Sequence, residues 1–299
     1  MKNIKIITDS CADLSTDLLE KYDIDYAKMN TVYKGKESPA LLSWDDRTPK
    51  EFYDILRSGE RITTTQVPVP EFKRIFREYL DKGYDIIYIG CSSKQSGSIN
   101  TGHVVSKELK KDYPGAMISC IDSMNASIGL GMLAVYAAGL AAEGRYFAEI
   151  ENAVYSARKR VNQFVTVHSL DSLKRAGRVT ASSAFFGNLM GVKPILISDA
   201  DGVQTPIKKV RGRLRSLEEI TDLLAGNIED ASAQTVYIAH ADCDPEEVSN
   251  LKNMVNDIIK PKGIVTVYIG PIIGASVGPD AIGVWGFGKE VTYRAEENK

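Results

Sequence analysis

The first half of the chain alternates short apolar runs with amphipathic stretches. Apolar runs of strand length occupy residues 4–8, 86–89 and 116–121. Apolar side chains at helical spacing, or clusters of small residues, mark three helical stretches at 14–21, 71–82 and 129–142. This alternation predicts an α/β domain whose parallel or mixed sheet carries helices on both faces.

The pattern changes after Arg145. Helices are predicted at residues 147–161, 170–175, 217–229 and 245–258. Strands are predicted at 164–168, 193–198, 204–210, 235–239, 263–269 and 283–287. A turn at residues 199–202 makes the second and third of these strands a hairpin, and hairpins mixed with helices indicate an α+β domain. We therefore predict two domains, 1–145 and 146–299, with a ligand between them.

One strand of the first domain ends in a cluster of serine and glycine. The run 86–89 leads directly into Gly90, Ser92, Ser93, Ser96 and Gly97, and a helical stretch follows. In open α/β sheets ligands bind beyond the carboxyl ends of the strands, where hydroxyls and helix N-termini suit an anionic group. An ordinary strand-to-helix turn with a serine cap is the alternative.

Two more strands end in a similar way, with Asp9-Ser10 and Asp122-Ser123. Three polar strand ends on one sheet would meet in a single crevice, which favours a binding site there. For the two aspartates themselves we favour a structural role, in which they cap helices or fix the loops.

Two further segments present hydroxyl groups next to rigid backbone. Three threonines, among them Thr64, precede Pro68 and Pro70, and this is either a β-rich connector or a loop that presents a threonine hydroxyl. Residues 270–279 form a Gly/Pro-rich loop between two apolar strands, and Ser276 is its one polar side chain.

Composition excludes several classes of function. The 299 residues carry a net charge of −2, so no global field attracts nucleic acid or an anionic membrane. The four cysteines and three histidines show no metal-ligand spacing, and no nucleophile elbow or Walker sequence occurs. No signal peptide is evident, and the longest apolar stretch, 128–142, is too short to span a bilayer. These features favour a cytoplasmic binding protein without a cofactor or stable membrane insertion.

One glycine pattern and two clusters of basic residues can each be interpreted as structural or as functional. The GxGxxA pattern at 129–134 does not follow its strand directly, so close helix packing explains it better than dinucleotide binding. Basic residues cluster around Arg178 and around Arg211. Such clusters are either solvated loops or sites for a phosphate-bearing ligand or an acidic partner protein.

Taken in order, these segments resemble the DegV family, which includes the FakB subunits of bacterial fatty acid kinase. The resemblance covers essentially the whole chain. It rests on the segments Ile7-Thr8-Asp9-Ser10, Thr64-Thr65-Gln66, Ser92-Ser93-Lys94-Gln95-Ser96-Gly97-Ser98, Asp122-Ser123, Leu173-Lys174-Arg175-Ala176-Gly177-Arg178 and Lys193-Pro194-Ile195-Leu196, on Arg211 and on the final Gly-Pro loop.

The resemblance implies a two-domain fold that holds a long-chain fatty acid between its domains. It assigns the fatty acid carboxylate to Thr64 and Ser93, with Ser92 as a neighbour, and it places Ser276 where FakB proteins have a histidine. It links Arg178 and Arg211 to acyl-phosphate formation or to docking of a FakA-like kinase. An enzyme acting on a small phosphorylated or carboxylated substrate, and a lipid-sensing regulator, are the alternatives.

Overall fold

The computed structural model describes residues 3–180 and 191–295. The outermost residues of the two predicted domains, 1–2 and 296–299, lie outside this part. In chain order the strands are β1 Ile4–Asp9, β2 Asp25–Ala27, β3 Asn30–Tyr33, β4 Lys36–Pro39, β5 Ile62–Thr65, β6 Asp85–Gly90, β7 Ile118–Asp122, β8 Val161–Thr166, β9 Val192–Ser198, β10 Gln204–Arg211, β11 Thr235–His240, β12 Gly263–Tyr268 and β13 Ile282–Phe287.

The α-helices alternate with these strands through most of the chain. They are α1 Thr16–Lys21, α2 Pro49–Arg57, α3 Val69–Leu80, α4 Ser98–Asp112, α5 Ile128–Ala142, α6 Phe147–Ala157, α7 Asp171–Ala176, α8 Arg213–Asn227, α9 Pro245–Met254 and α10 Pro271–Val277.

The first sheet has the order β2-β1-β6-β7, and every neighbouring pair is parallel. Strand β6 is buried along its whole length, as its continuous apolar run predicts. Helices α3 and α4 pack together beside β6 and β7, and α5 and α6 form a second packed pair. The predicted α/β layer is therefore present.

The second sheet has the order β10-β9-β8-β13-β11-β12 and is mixed. Only β11 and β12 run parallel, and the remaining neighbours are antiparallel. The predicted hairpin joins β9 to β10, and the Asp199 carboxylate accepts the Asp201 and Val203 amides within its turn. Helix α8 packs on β8, β9, β10 and β13 of this sheet.

Several features differ from the sequence prediction. The antiparallel sheet β4-β3-β5 was not predicted, because β3 and β4 show no alternation of buried and exposed positions. Helix α2 was also missed, although its Thr48 N-cap, Pro49 and amphipathic pattern are signals of a helix. Strand β8 begins at Val161, three residues before its predicted start. Asn162 and Gln163 are polar although they are buried, so the apolar pattern did not reveal this end of the strand. The predicted 270–279 loop contains helix α10, whose first residue, Pro271, sits where a missing N–H costs little.

Among the described residues, the buried apolar side chains form two clusters, and the larger one joins the two parts of the chain. It includes Ile6 of β1, Leu133 of α5 and Trp285 of β13. Helix α5 lies so close to the segment after β1 that a Cβ on Gly131 would lie 2.5 Å from the Ala12 carbonyl oxygen. The small residues of α5 therefore serve helix packing, and α6, just beyond the predicted boundary, packs on α5 and β7.

Candidate functional site

A cavity lies where the carboxyl ends of β1 and β6 meet the second sheet and helix α10. Its empty volume is about 930 Å³, part of it open to solvent. The expectation of a ligand crevice beyond the strand ends fits this position.

Most of the cavity wall is apolar. The N-terminal part contributes Met29 and Ala126. Other apolar lining residues come from the second sheet and from α10, namely Val165, Leu196, Ile269, Ile272, Ile273, Val277 and Trp285. The apolar part of this wall can accommodate a hydrocarbon chain.

Two glutamines in this wall are hydrogen-bonded to each other. The Gln163 amide donates to Gln204 Oε1 at 2.7 Å, and its own Oε1 accepts from the Trp285 indole at 3.3 Å. Because these groups are paired within the protein, they do not require a polar ligand. Their burial was not visible in the sequence, which places the two residues 41 positions apart.

Hydroxyl and guanidinium groups gather at one end of the cavity. Thr64, Ser96, Arg178 and Ser276 line it there. Thr64, Arg178 and Ser276 also line an adjoining outer cleft with an empty volume of about 1240 Å³. These three residues therefore mark the mouth at which the apolar cavity opens into the polar cleft.

The loops at the mouth are held together by side-chain hydrogen bonds. The Val67 amide donates to Ser98 Oγ at 3.1 Å, and the Gln66 amide group donates to Thr101 Oγ1 at 2.8 Å. Gly97 permits this approach, because a Cβ there would lie 2.0 Å from Gln66 Oε1. The end of β5, which carries Thr64, and the serine-rich loop, which carries Ser96, are thus held side by side.

The two adjacent threonines differ in what their hydroxyls bind. The Thr65 hydroxyl donates to Glu37 Oε1 at 2.9 Å. Within residues 3–180 and 191–295, the Thr64 hydroxyl has no hydrogen-bond partner. The Ser276 hydroxyl donates only a long hydrogen bond, of 3.5 Å, to the Ile272 carbonyl in the same part of the chain. Thr64 is therefore the threonine best able to donate to a ligand.

The other predicted residues lie away from the cavity lining. Ser92 is fully buried and donates to the Gly202 carbonyl at 2.8 Å, and Ser93 is exposed with its amide directed to the Asp122 carboxylate. Arg211 is exposed at the end of β10. Ser96 lines the cavity instead, and the sequence contained its signal, since it belongs to the same serine-rich segment.

Arg178 borders the mouth but already donates to two backbone carbonyls. Its Nε reaches the Gln95 carbonyl at 2.8 Å and its Nη1 the Ala176 carbonyl at 2.6 Å. These bonds join the segment after α7 to the serine-rich loop. The guanidinium therefore holds a positive charge at the mouth in a fixed position.

The aspartates at the strand ends organise loops, as predicted. The buried Asp9 carboxylate accepts the Cys11 and Cys91 amides at 2.9 Å each and the Tyr88 hydroxyl at 2.8 Å. Burial raises the pKa of Asp9. Asp122 accepts the Met124 amide at 2.9 Å as well as the Ser93 amide.

Asp13 connects the two parts of the chain beneath the cavity. Its carboxylate accepts the Ser127 hydroxyl at 2.5 Å and the amide of Gly270, the residue before α10, at 2.8 Å. Burial raises the pKa of Asp13 to about 7. The group fixes the start of the helix that forms one cavity wall.

The four cysteines are buried free thiols. Cys11 and Cys91 line the cavity. A hydrogen bond to Cys91 together with burial raises the pKa of the Cys11 thiol well above its ordinary value. Since the thiolate is the reactive form, this site is poorly suited to cysteine catalysis.

The described part of the chain offers neither a metal site nor a membrane-spanning helix. Within it, no group of three or more His, Cys, Asp or Glu side chains is arranged to hold a metal ion. Nor does any helix there have the length and apolar character needed to cross a membrane.

Comparison with known proteins identifies relatives across the whole length. The sequence pattern of the DegV family, a family of uncharacterised proteins, matches residues 3–288. A DegV domain-containing protein of Clostridium perfringens is 34% identical over 293 residues, covering 96% of this chain and 98% of the relative.

Solved structures of similar proteins share the fold. A DegV lipid-binding protein from Thermotoga maritima is 27% identical with a TM-score of 0.82, over 98% of this chain and 100% of that one. DegV from Bacillus subtilis, described as a fatty-acid-binding protein, is 26% identical with a TM-score of 0.82, over 96% and 100%. Sequence pattern, full-length relatives and fold agree with the resemblance found in the motifs, and the chain belongs to the DegV family.

Proposed function

We propose that this protein is a non-catalytic carrier of a long-chain fatty acid. The observation that carries the proposal is the polarity of the cavity, whose wall is largely apolar apart from groups such as the paired Gln163 and Gln204, and whose mouth carries Thr64, Arg178 and Ser276. The acyl chain occupies the apolar part and the carboxylate lies at the mouth. The lipid-binding and fatty-acid-binding descriptions of the Thermotoga and Bacillus relatives support this assignment.

The acyl chain and the carboxylate contribute differently to the free energy of binding. Burial of hydrocarbon contributes roughly 0.8 kcal/mol per CH₂. A long acyl chain therefore gains on the order of 10 kcal/mol before ordering costs. Hydrogen bonds to the carboxylate contribute about 1–3 kcal/mol each and mainly fix its position.

Lipid analysis of the purified protein tests the carrier role. We expect denaturing extraction followed by mass spectrometry to recover a long-chain fatty acid in near-stoichiometric amount. Protein that is free of lipid, and that after delipidation takes up no added fatty acid, would exclude a carrier.

Paired variants test the head-group site. Thr64→Val should weaken fatty-acid binding by about 1–3 kcal/mol, about 5- to 150-fold. The matched change Thr65→Val should have little effect on the carboxylate, since the Thr65 hydroxyl already binds Glu37. Affinity is measured by displacement of a fluorescent fatty acid from the delipidated protein.

A second pair separates the serines of the loop. Ser96 lines the cavity, whereas Ser93 does not. Ser96→Ala should therefore weaken binding by a similar factor, and Ser93→Ala should not. The reverse order of effects would return the head-group role to Ser93, as the family resemblance alone suggested.

We further propose that the carrier presents the carboxylate to a separate FakA-like kinase for acyl-phosphate formation. The mouth residues Thr64, Arg178 and Ser276 also border the outer cleft, where Arg61 and Arg175 add positive charge. A head group at the mouth would thus be accessible from a basic surface that could stabilise a developing acyl phosphate.

A reconstituted assay with kinase, ATP and fatty acid tests presentation. Wild type should yield acyl phosphate, and Arg211→Ala should lower the yield without changing fatty-acid affinity, because Arg211 lies off the cavity. Arg178→Ala should lower the yield as well. Activity in Ser276→His alone, with none in wild type, would reject kinase presentation and favour a lipid-sensing role.

A further inference from the structure

A group of basic side chains lies at one end of the second sheet, outside the cavity lining. Lys193 is near the start of β9, Arg213 is the first residue of α8, and His168 follows β8. The β9–β10 register places Val210 opposite Lys193, and the Gly212 amide donates to the Gly191 carbonyl at 2.8 Å. The hairpin thus brings Lys193 close to the start of α8.

The Arg213 guanidinium is anchored on one side only. Its Nε and Nη2 bind the Glu247 carboxylate at 3.0 Å each, and Nη2 also donates to the Asp280 carbonyl at 2.8 Å. Its Nη1 is buried and has no hydrogen-bond partner among residues 3–180 and 191–295. A buried donor without an acceptor is costly, so this position favours an acceptor from a ligand.

The neighbouring cations are not neutralised by the acidic groups near them. Burial, together with the charges of Lys193 and Arg213, lowers the pKa of His168, although Asp280 and Glu247 oppose the shift. Burial and the Arg213 charge likewise lower the pKa of Lys193. Asp280 is already paired with Arg57 at 2.7 Å. The charges of Lys193 and Arg213 therefore lie close enough to repel each other, and they disfavour the protonated form of His168.

Helix α8 adds its positive end to this group. The helix has 15 residues, its N-cap Gly212 offers no side-chain cap, and its first turn contains no acidic residue. The first amide groups of such a helix favour an anion. An anionic ligand is therefore favoured by the start of α8, by the unpartnered guanidinium N–H of Arg213 and by the repulsion between the neighbouring positive charges.

We propose that Lys193, Arg213 and His168 form a binding site for a tetrahedral oxyanion, either inorganic phosphate or the phosphate group of a monoester. The anion accepts a hydrogen bond from Arg213 Nη1 and lies between the Lys193 ammonium and the His168 imidazole. It relieves the mutual repulsion of the cations. This site is separate from the fatty-acid cavity and does not depend on what that cavity binds.

The His168 ring provides the measurement, because a bound anion must raise its pKa. The three histidine rings are followed by NMR while pH is titrated in chloride, and then in phosphate or glycerol 3-phosphate at equal ionic strength. We expect both phosphate probes, or one of them, to raise the pKa of His168 in a saturable way. The exposed His103 ring, on α4, should not respond. A response to phosphate alone would identify the free anion, and a response to both would include esters.

Matched lysine variants complete the test. Lys193→Gln should weaken phosphate binding about tenfold or more, the size expected for loss of one charge-assisted hydrogen bond. Lys252→Gln, on the exposed surface of α9, should bind as wild type does. Arg213 is left intact because it also anchors Glu247. No shift at His168, equal shifts at His168 and His103, or unchanged binding in Lys193→Gln would each overturn the proposal.

Discussion

At the scale of single residues, two buried aspartates organise the site. Asp9 gathers the amides of Cys11 and Cys91 at the ends of β1 and β6. Asp13 reaches across to Gly270 at the start of α10. Each accepts several hydrogen bonds, which offsets part of the cost of burying a carboxylate. Because the pKa of Asp13 is raised to about 7, its charge should make stability depend on pH.

We predict that the free energy of unfolding falls as pH rises from about 4 to about 7 through this group. Asp13 has a folded pKa of about 7 against an ordinary value of 3.8, so in this window the folded state keeps a proton that the unfolded state has released. Asp13→Asn can still accept from Gly270 but cannot ionise. Its stability should therefore change less between pH 4 and pH 7, by a few kcal/mol at most.

Urea denaturation at several pH values measures this effect. Asp46→Asn, at an exposed position, serves as the control and should follow the wild-type pH profile. Identical pH profiles for wild type and Asp13→Asn would mean that Asp13 titrates at the same pH in the folded and unfolded states.

At the scale of elements, helix α10 forms one wall of the cavity and docks on α2. Ile272, Ile273 and Val277 of this helix line the cavity. On the docking side, Tyr53 of α2 donates its hydroxyl to the Ile269 carbonyl at 2.6 Å. Gly274 leaves room for this tyrosine, since a Cβ there would lie 2.4 Å from the Tyr53 hydroxyl oxygen. The position of the wall therefore depends on one glycine.

We predict that Gly274→Ala destabilises the protein by about 1–3 kcal/mol, because the new methyl group overpacks against the fully buried Tyr53. Alanine alone would favour a helix by about 1 kcal/mol over glycine. The matched change Gly139→Ala, in α5, meets no atom within 4 Å and should stabilise by up to about 1 kcal/mol. Opposite shifts of the thermal midpoint would support this account, and equal shifts would contradict it.

At the scale of the whole molecule, the two parts of the chain close around the cavity. Arg57 of α2 binds the Asp242 carboxylate and the Asp280 carboxylate at 2.7 Å each, and it donates to the Asp242 carbonyl at 2.6 Å. Together with Asp13–Gly270 and Tyr53–Ile269, these bonds join the N-terminal part to the C-terminal part. The division at residues 145 and 146 remains a prediction, because the larger apolar cluster spans it, whereas the second cluster lies within the C-terminal part.

We predict that Arg57→Gln destabilises the protein by about 1–2 kcal/mol and speeds release of bound fatty acid. The value is modest because the side chain is 32% exposed and water screens its charge. Arg74→Gln removes ion pairs to Glu71 and Glu78 within α3 and should cost less, without changing release. Stopped-flow transfer of a fluorescent fatty acid to vesicles measures release. Equal release rates in the two variants would show that Arg57 does not hold the cavity closed.

The sequence by itself determined the local elements and the family. Apolar runs such as residues 86–89 and the small residues of α5 encode their structures within a few neighbouring positions, and strand and helix periods are local properties. The ordered motifs also identified the DegV family and brought Thr64, Arg178 and Ser276 to attention, which the structure places at one cavity mouth.

Tertiary structure alone decided which serine faces the cavity and how the weakly patterned segments fold. Ser92 is turned away by the Gly202 carbonyl, 110 positions later in the chain, while Ser96 takes the position on the cavity wall. Helix α10 and the sheet β4-β3-β5 likewise depend on distant partners more than on their own periodicity. The physical reason is that a hydroxyl or a short irregular segment has several local conformations of similar energy, and only contacts with remote residues select one.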